Sequence, residues 1–297
     1  MPELPEIEAY LSALERRIAG QILEKVRVTS PALLRTYDPS PDAAAGRKVT
    51  GLERIDKRIV IALEDDLFLV VHLMVAGRLK WTEPGKAIPR KYGQAAFDFA
   101  DGSLLLTEAG TKRRASLHVL AGRDALANLD PGGIEVLEAS SSQFKESLLA
   151  ERHTLKRALT DARFISGIGG SFADEILHRA KLSPLQMNTN LSDAEIERLH
   201  EAAGGILREW TRIRLDETGD GFPEKVTAFH PDMAVHGKFG EACPVCGSTV
   251  QRIVYASRET NYCPGCQTGG KILADRSLSR LLKDDWPSTM DELEGAV

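Results

Sequence analysis

A chain of 297 residues, 42% hydrophobic and 27% charged, has the make-up of a soluble protein of about two domains with a core it can bury. No uninterrupted apolar run approaches membrane-spanning length and the acidic start has no signal-type apolar region, which predicts a cytoplasmic chain with no membrane partner. The net charge of -5 argues against a nucleic-acid partner only where charge is evenly spread, and here it is segregated. From Asp284 onward acidic residues stand without any Lys or Arg, whereas Lys112-Arg113-Arg114 is wholly basic.

The first element begins in Met1-Pro2-Glu3-Leu4-Pro5-Glu6. Ile7, Tyr10, Leu11, Leu14 and Ile18 recur at helical spacing up to Gly20, which predicts an amphipathic helix over Pro5–Ile18. Pro5 and the carboxylates suit the first turn of that helix and its dipole. A second reading coexists with this one. Pro2 is a small residue of the kind that permits removal of the initiator, and a mature chain beginning there exposes a secondary amine, a nucleophile that forms an iminium directly. Glu3 and Glu6 then stand beside it as proton carriers. Taken alone, the terminus favours the helix-start reading.

From about Leu23 to Leu120 short β-rich runs alternate with turn signals, which predicts a sandwich or barrel. Ile59-Val60-Ile61-Ala62 is apolar on both faces, as a central strand would be. The pattern turns helical after Pro131-Gly132-Gly133 and stays so to about Arg214, with helices expected over 142–151, 154–160 and 172–180. The signature Ser192-Asp-Ala-Glu195 opens a longer helix. Leu215 to Pro231 reads as a loop, and beyond residue 267 the tail offers only Ala274–Leu282 as an ordered segment.

All four cysteines fall in one pattern, Cys243-Pro-Val-Cys246 and Cys263-Pro-Gly-Cys266, with sixteen residues between the pairs. Two such pairs match a tetrathiolate zinc site in which each pair forms a knuckle and the linker a hairpin. Disulfides are the competing reading, and a cytoplasmic location disfavours them. Four thiolates leave no open position, so the Zn2+ is expected to be structural.

Ile165-Ser166-Gly167-Ile168-Gly169-Gly170-Ser171 precedes a helix carrying Asp174-Glu175. Taken in order, the terminal motif, this glycine turn and the four-cysteine finger resemble the formamidopyrimidine-DNA glycosylase/endonuclease VIII family. Lys57, His72-Leu with Gly77-Arg-Leu79, Val235-His-Gly237, and Arg258 with Thr260 and Tyr262-Cys263 strengthen the likeness, which runs from Pro2 to about Gln267. The resemblance implies an α+β multidomain protein: an N-terminal helix plus β-sandwich, then a C-terminal helix–two-turns–helix domain with a zinc-finger hairpin. The expected boundaries are 1–130, 131–230, 231–267 for the finger, and 268–297 for a tail with an acidic end. It further implies a monomer, nucleoid-associated, acting on damaged double-stranded DNA that runs between the domains with the lesion flipped out of the stack.

By the same resemblance Pro2 attacks C1′, Glu3 assists opening of the sugar ring, and Glu6 shuttles protons or holds the terminus. Lys57 and Arg258 grip flanking phosphates, and Lys156 is a further candidate for the backbone. Three departures from the family pattern fall in the DNA-probing segments. The asparagine usual after Gly-Ile-Gly is Gly170, with Ser171 next to it; the methionine wedge position holds Val75, with Met74 one step earlier; the Arg-Arg-Phe-Gly loop reads Lys112-Arg113-Arg114-Ala115. On a strand, a one-residue shift at Met74/Val75 would turn the wedge to the opposite face. Arg113 is left as the candidate to fill the void. The resulting expectation is a bifunctional glycosylase/AP lyase whose lesion preference departs from oxidised-purine excision. The rivals are a catalytically silent protein binding damaged or structured DNA, and a zinc-ribbon scaffold unrelated to DNA.

Overall fold

The structure, a computed structural model, describes residues 1–223, 226–255, 258–274 and positions 289 and 292. The segment expected to be ordered from Ala274 to Leu282 lies, after its first residue, outside these described residues. Two compact units account for the chain: Met1–Pro131 with Arg208–Thr227, and Gly132–Leu207 with Ala228–Val297.

The first unit opens with α1 (Leu4–Ile18). Ile7, Tyr10, Leu14 and Ile18 form its fully buried stripe, and each buried isoleucine or leucine contributes about 1.5–3 kcal/mol. Nine strands follow: β1 (Ile22–Leu23), β2 (Lys25–Val28), β3 (Arg47–Ile55), β4 (Arg58–Leu63), β5 (Leu67–His72), β6 (Gly77–Thr82), β7 (Gly93–Phe99), β8 (Gly102–Glu108) and β9 (Ser116–Ala121). They form a five-stranded sheet in the order β1-β3-β4-β5-β9 and a four-stranded sheet in the order β2-β7-β8-β6. Ile59, Ile61, Leu69 and Val71 of the first sheet share one core with Phe97, Phe99, Leu104 and Leu106 of the second and with the stripe of α1. β4 stands in the middle of its sheet, as its two apolar faces require. Its other face, with Val60 and Ala62, joins Phe68 and Val70 under Leu126 of α2 (Arg123–Ala127).

The second unit holds α3 (Ser141–Leu149), α4 (Leu155–Thr160), α5 (Gly170–Arg179) and the start of α6 (Asp193–Thr218). The predicted capping box is present at α6: Glu195 N–H donates to Ser192 Oγ at 3.3 Å, and Ser192 N–H to Glu195 Oε2 at 2.8 Å. After α6 come β10 (Gln251–Tyr255), β11 (Arg258–Tyr262) and α7 (Pro264–Gln267), with β10 and β11 paired as an antiparallel hairpin.

One expectation is corrected here. The loop expected from Leu215 begins later, because nothing in Leu215-Asp-Glu-Thr218 breaks a helix and the first left-handed residue is Gly219 at φ 50°. Residues 208–227 are part of the first compact unit. Local anchors explain this. Phe222 packs on Tyr10 with ring centroids 5.7 Å apart, and Arg16 and Arg17 donate to the carbonyls of Gly219 and Asp220 at 2.8 and 3.1 Å. Among the described residues no helix is long and apolar enough to cross a membrane.

Candidate functional site

Glu3 caps α1, and the cap is reciprocal: the Glu3 side chain accepts from the Glu6 backbone, and the Glu3 backbone N–H donates to Glu6 Oε2 at 2.9 Å. Pro2, Glu3 and Glu6 are all buried. Arg214, in the last turns of α6, donates from Nε to Glu6 Oε1 at 3.1 Å and is itself oriented by Glu217 Oε2 at 3.0 Å and the Thr227 carbonyl at 3.1 Å. Burial raises the Glu6 pKa to about 7, opposed by Arg214 and assisted by the Glu3 charge. At neutral pH Glu6 therefore both holds and releases a proton. Burial lowers the pKa of the terminal ammonium on Met1, the Glu3 charge opposing and Arg78 adding to the effect.

Lys57 sits in the two-residue turn between β3 and β4, beside Asp56 at φ 51°. Its side chain is 5% exposed, and its ammonium lies 2.8 Å from Asp56 Oδ1. His72, at the end of β5, carries a pKa lowered to about 4 by burial and by Arg58. Its Nε2 is buried with no hydrogen-bond partner among the described residues.

Met74–Ala76 form a turn between β5 and β6, so the alternation of faces along a strand does not apply to Met74 and Val75. Gly77 N–H donates to the Leu73 carbonyl at 2.9 Å, and a Cβ on Gly77 would lie 2.2 Å from that oxygen, so only glycine closes the turn. Met74 takes φ 52°, and Val75 projects with 63% exposure. Lys112, Arg113 and Arg114 are exposed on the loop between β8 and β9. Buried Glu108 accepts the backbone N–H groups of Arg114 at 2.8 Å and Ala115 at 3.2 Å, fixing one end of that loop. Arg113 Nη2 donates to the Lys91 carbonyl at 2.6 Å.

In the second unit, Gly169 caps α5 and Gly170 is its exposed first residue; Ser171 is buried. A Cβ on Gly170 would meet nothing within 4 Å, so packing does not exclude a larger residue there. Asp174 and Glu175, buried side by side in α5, tie the unit together. Glu175 accepts the backbone N–H groups of Ala234, Val235 and His236, each at 2.9 Å. Asp174 accepts from Lys156 Nζ at 2.7 Å and His236 Nδ1 at 2.8 Å, and from the Asn261 backbone on β11 at 3.2 Å. Lys156 also donates to the Glu259 carbonyl at 2.8 Å, so this candidate for DNA contact spans α4, α5 and the hairpin. Arg258 is the first residue of β11; its side chain lies outside the described residues.

The cysteines converge: Cys243 and Cys266 sulfurs are 3.9 Å apart and those of Cys246 and Cys263 3.3 Å. Sulfurs around one zinc with ~2.3 Å bonds lie about 3.8 Å apart, so the donor set fits one structural Zn2+. Gly265 is required in its knuckle, since a Cβ there would lie 2.5 Å from Ser248 Oγ and 3.0 Å from Cys246 Sγ. The structure adds a donor that cysteine spacing could not reveal. His178 of α5 brings Nε2 to 3.3 Å from Cys243 Sγ, and the donor atoms of His178, Cys243, Cys263 and Cys266 all lie within 4.8 Å of one another.

Family models match in chain order: the formamidopyrimidine-DNA glycosylase N-terminal domain over residues 1–114, the formamidopyrimidine-DNA glycosylase H2TH domain over 133–220, and the zinc finger found in FPG and IleRS over 240–269. A formamidopyrimidine-DNA glycosylase of Geobacillus kaustophilus is 33% identical over 285 residues, covering 90% of this chain and 100% of its own. One of Heliobacterium modesticaldum is 32% identical over 280 residues, covering 90% and 100%. Among solved structures, the Lactococcus lactis formamidopyrimidine-DNA glycosylase bound non-covalently to DNA containing an AP site superposes with a TM-score of 0.78 at 26% identity, covering 90% of this chain and 99% of its own. MutM in complex with DNA containing carbocyclic 8-oxo-G gives 0.78 at 26% identity, covering 90% and 100%.

Proposed function

Since this chain belongs to the formamidopyrimidine-DNA glycosylase family, we propose that it is a DNA-repair glycosylase that also cleaves the strand through a Schiff base on Pro2. The observation that carries this reading is the buried Glu3–Glu6 cap beside Pro2, with Glu6 poised near neutrality. After loss of the initiator, the Pro2 nitrogen attacks C1′; the glycosidic bond breaks and the base leaves with a proton. Glu3 assists ring opening, and the iminium acidifies C2′. Removal of a C2′ proton expels the 3′ phosphate by β-elimination, and a second elimination at C4′ can expel the 5′ phosphate. Glu6 moves protons at the terminus while Arg214 holds its carboxylate in place. Lys57 and Arg258 take the flanking phosphates, and the basic loop at Lys112–Arg114 with Val75 at the turn tip probes the stack. Cys243, Cys246, Cys263 and Cys266 hold the zinc that stiffens the hairpin carrying Arg258.

The altered probing residues support a lesion preference away from oxidised purines. Strong, opposite-base-selective release of 8-oxoguanine, in a panel with oxidised pyrimidines, abasic sites and crosslinked bases, would overturn that part alone. The chemistry is tested by borohydride trapping on an abasic-site duplex. A covalent adduct at Pro2, lost in Pro2→Gly and reduced in Glu3→Gln, is the expected result. Retained duplex binding with no adduct on a chain confirmed to start at Pro2 would favour a protein that only recognises DNA.

A further inference from the structure

We propose that His178 is a hydrogen-bond donor to the zinc-bound Cys243 thiolate, and that this bond sets how firmly the finger keeps its metal. The inference concerns the metal centre and stands apart from the chemistry proposed for Pro2.

The placement follows from α5. Glu175 and His178 are three residues apart and so share one face of the helix. Glu175 takes the backbone of residues 234–236 along that face, and one turn on, His178 meets the first zinc knuckle. Both partners are enclosed, with His178 6% and Cys243 3% exposed. Burial leaves the imidazole little access to water, and its Nε2 lies 3.3 Å from the sulfur, an ordinary N···S hydrogen-bond distance.

Electrostatics supplies the reason for such a donor. Zinc with four thiolates carries a formal charge of about −2 on the usual charge count, and in a partly buried site that excess must be shared with nearby N–H groups. Cys266 N–H already points at Cys263 Sγ at 3.5 Å, within its own knuckle. For Cys243, the imidazole of His178 does the same from a different element, so it joins α5 to the finger through the metal's own ligand. A direct Zn–N bond is the competing arrangement. His178 lies within 4.8 Å of three of the four sulfurs and Cys246 Sγ lies 3.3 Å from Cys263 Sγ, so five donors would then compete for four positions and one thiolate would be displaced.

The test uses the full zinc-loaded chain and compares wild type with His178→Ala and His178→Gln, the amide nitrogen of glutamine standing near where Nε2 was. Zinc transfer to a chromogenic chelator is expected to be about 10–100-fold faster in His178→Ala and to return toward wild type in His178→Gln. Unchanged transfer in His178→Ala, or no recovery with glutamine, would overturn the proposal. Cobalt-substituted chains are expected to show the same four-sulfur spectrum in all three proteins; a three-sulfur, one-nitrogen spectrum in wild type would make His178 a ligand and overturn it as well. Should His178→Ala fail to fold, the 15N NMR signature of the wild-type imidazole decides. A proton on Nε2 supports the donor, and an unprotonated, metal-shifted Nε2 sinks it.

Discussion

The chain start and the zinc hairpin are both held by buried carboxylates, but the two sets of bonds have different reach. At the start, Glu3 and Glu6 satisfy each other's backbone across three residues, and Arg214 arrives from far along the chain. At the hairpin, the bonds of Asp174 and Glu175 run to Lys156, His236, Asn261 and the backbone of 234–236. Local bonds form as soon as the helix forms. Distant ones exist only once the whole unit has closed, so damage to them should spread through that unit while damage to the first set stays confined.

The largest test of that contrast is Asp174→Ala. It strips the partner from Lys156 and His236, and losing one side of a buried ion pair costs about 3–5 kcal/mol, read as a lower urea midpoint of the zinc-loaded chain. A loss under ~1 kcal/mol would remove Asp174 from the centre of the unit. Metal removal comes next. Chelation should expose amides of β10, β11 and α7 to hydrogen exchange while those of β4 and β5 keep their protection. Equal loss in both would show that the units open together.

A subtler effect is expected at Glu6. Burial raises its pKa from 4.5 to about 7, so the folded chain holds the proton more tightly than the unfolded one. Its share of the stability is complete below about pH 4.5 and is lost as the pH rises to about 7. Glu6→Gln should therefore flatten the fall of the urea midpoint across that window; an unchanged slope would assign the titration to another group. The smallest effect is that of Gly170→Asn. Open space at Cβ predicts a stability change within about 0.5 kcal/mol, while abasic-site duplex affinity should rise severalfold if the side chain finds a phosphate.

The same difference in reach explains what could be read in the sequence. The α1 and α6 caps, the apolar stripe of α1, the two-faced run of β4 and the paired CxxC motifs are patterns within a few residues, and each names its own structure. Arg214, the partners of Asp174 and Glu175, and the meeting of His178 with Cys243 depend on residues dozens to hundreds of positions apart, for which no local pattern exists. The turn at Val75 is hidden in the sequence for another reason. The apolar run of β5 continues through Leu73 and Met74, and only the contact of Gly77 with the Leu73 carbonyl ends it.

Glu108 shows what such anchoring permits. It grips the loop after β8 by the main-chain N–H groups of Arg114 and Ala115, so any non-proline residue can stand at exposed position 114 without losing the grip, while Ala115 is packed in the core. The mount is indifferent to the tool it carries. A designer could exchange Lys112–Arg114 for aromatic, acidic or small residues as interchangeable tips on a fixed stem, and ask which lesions each tip admits.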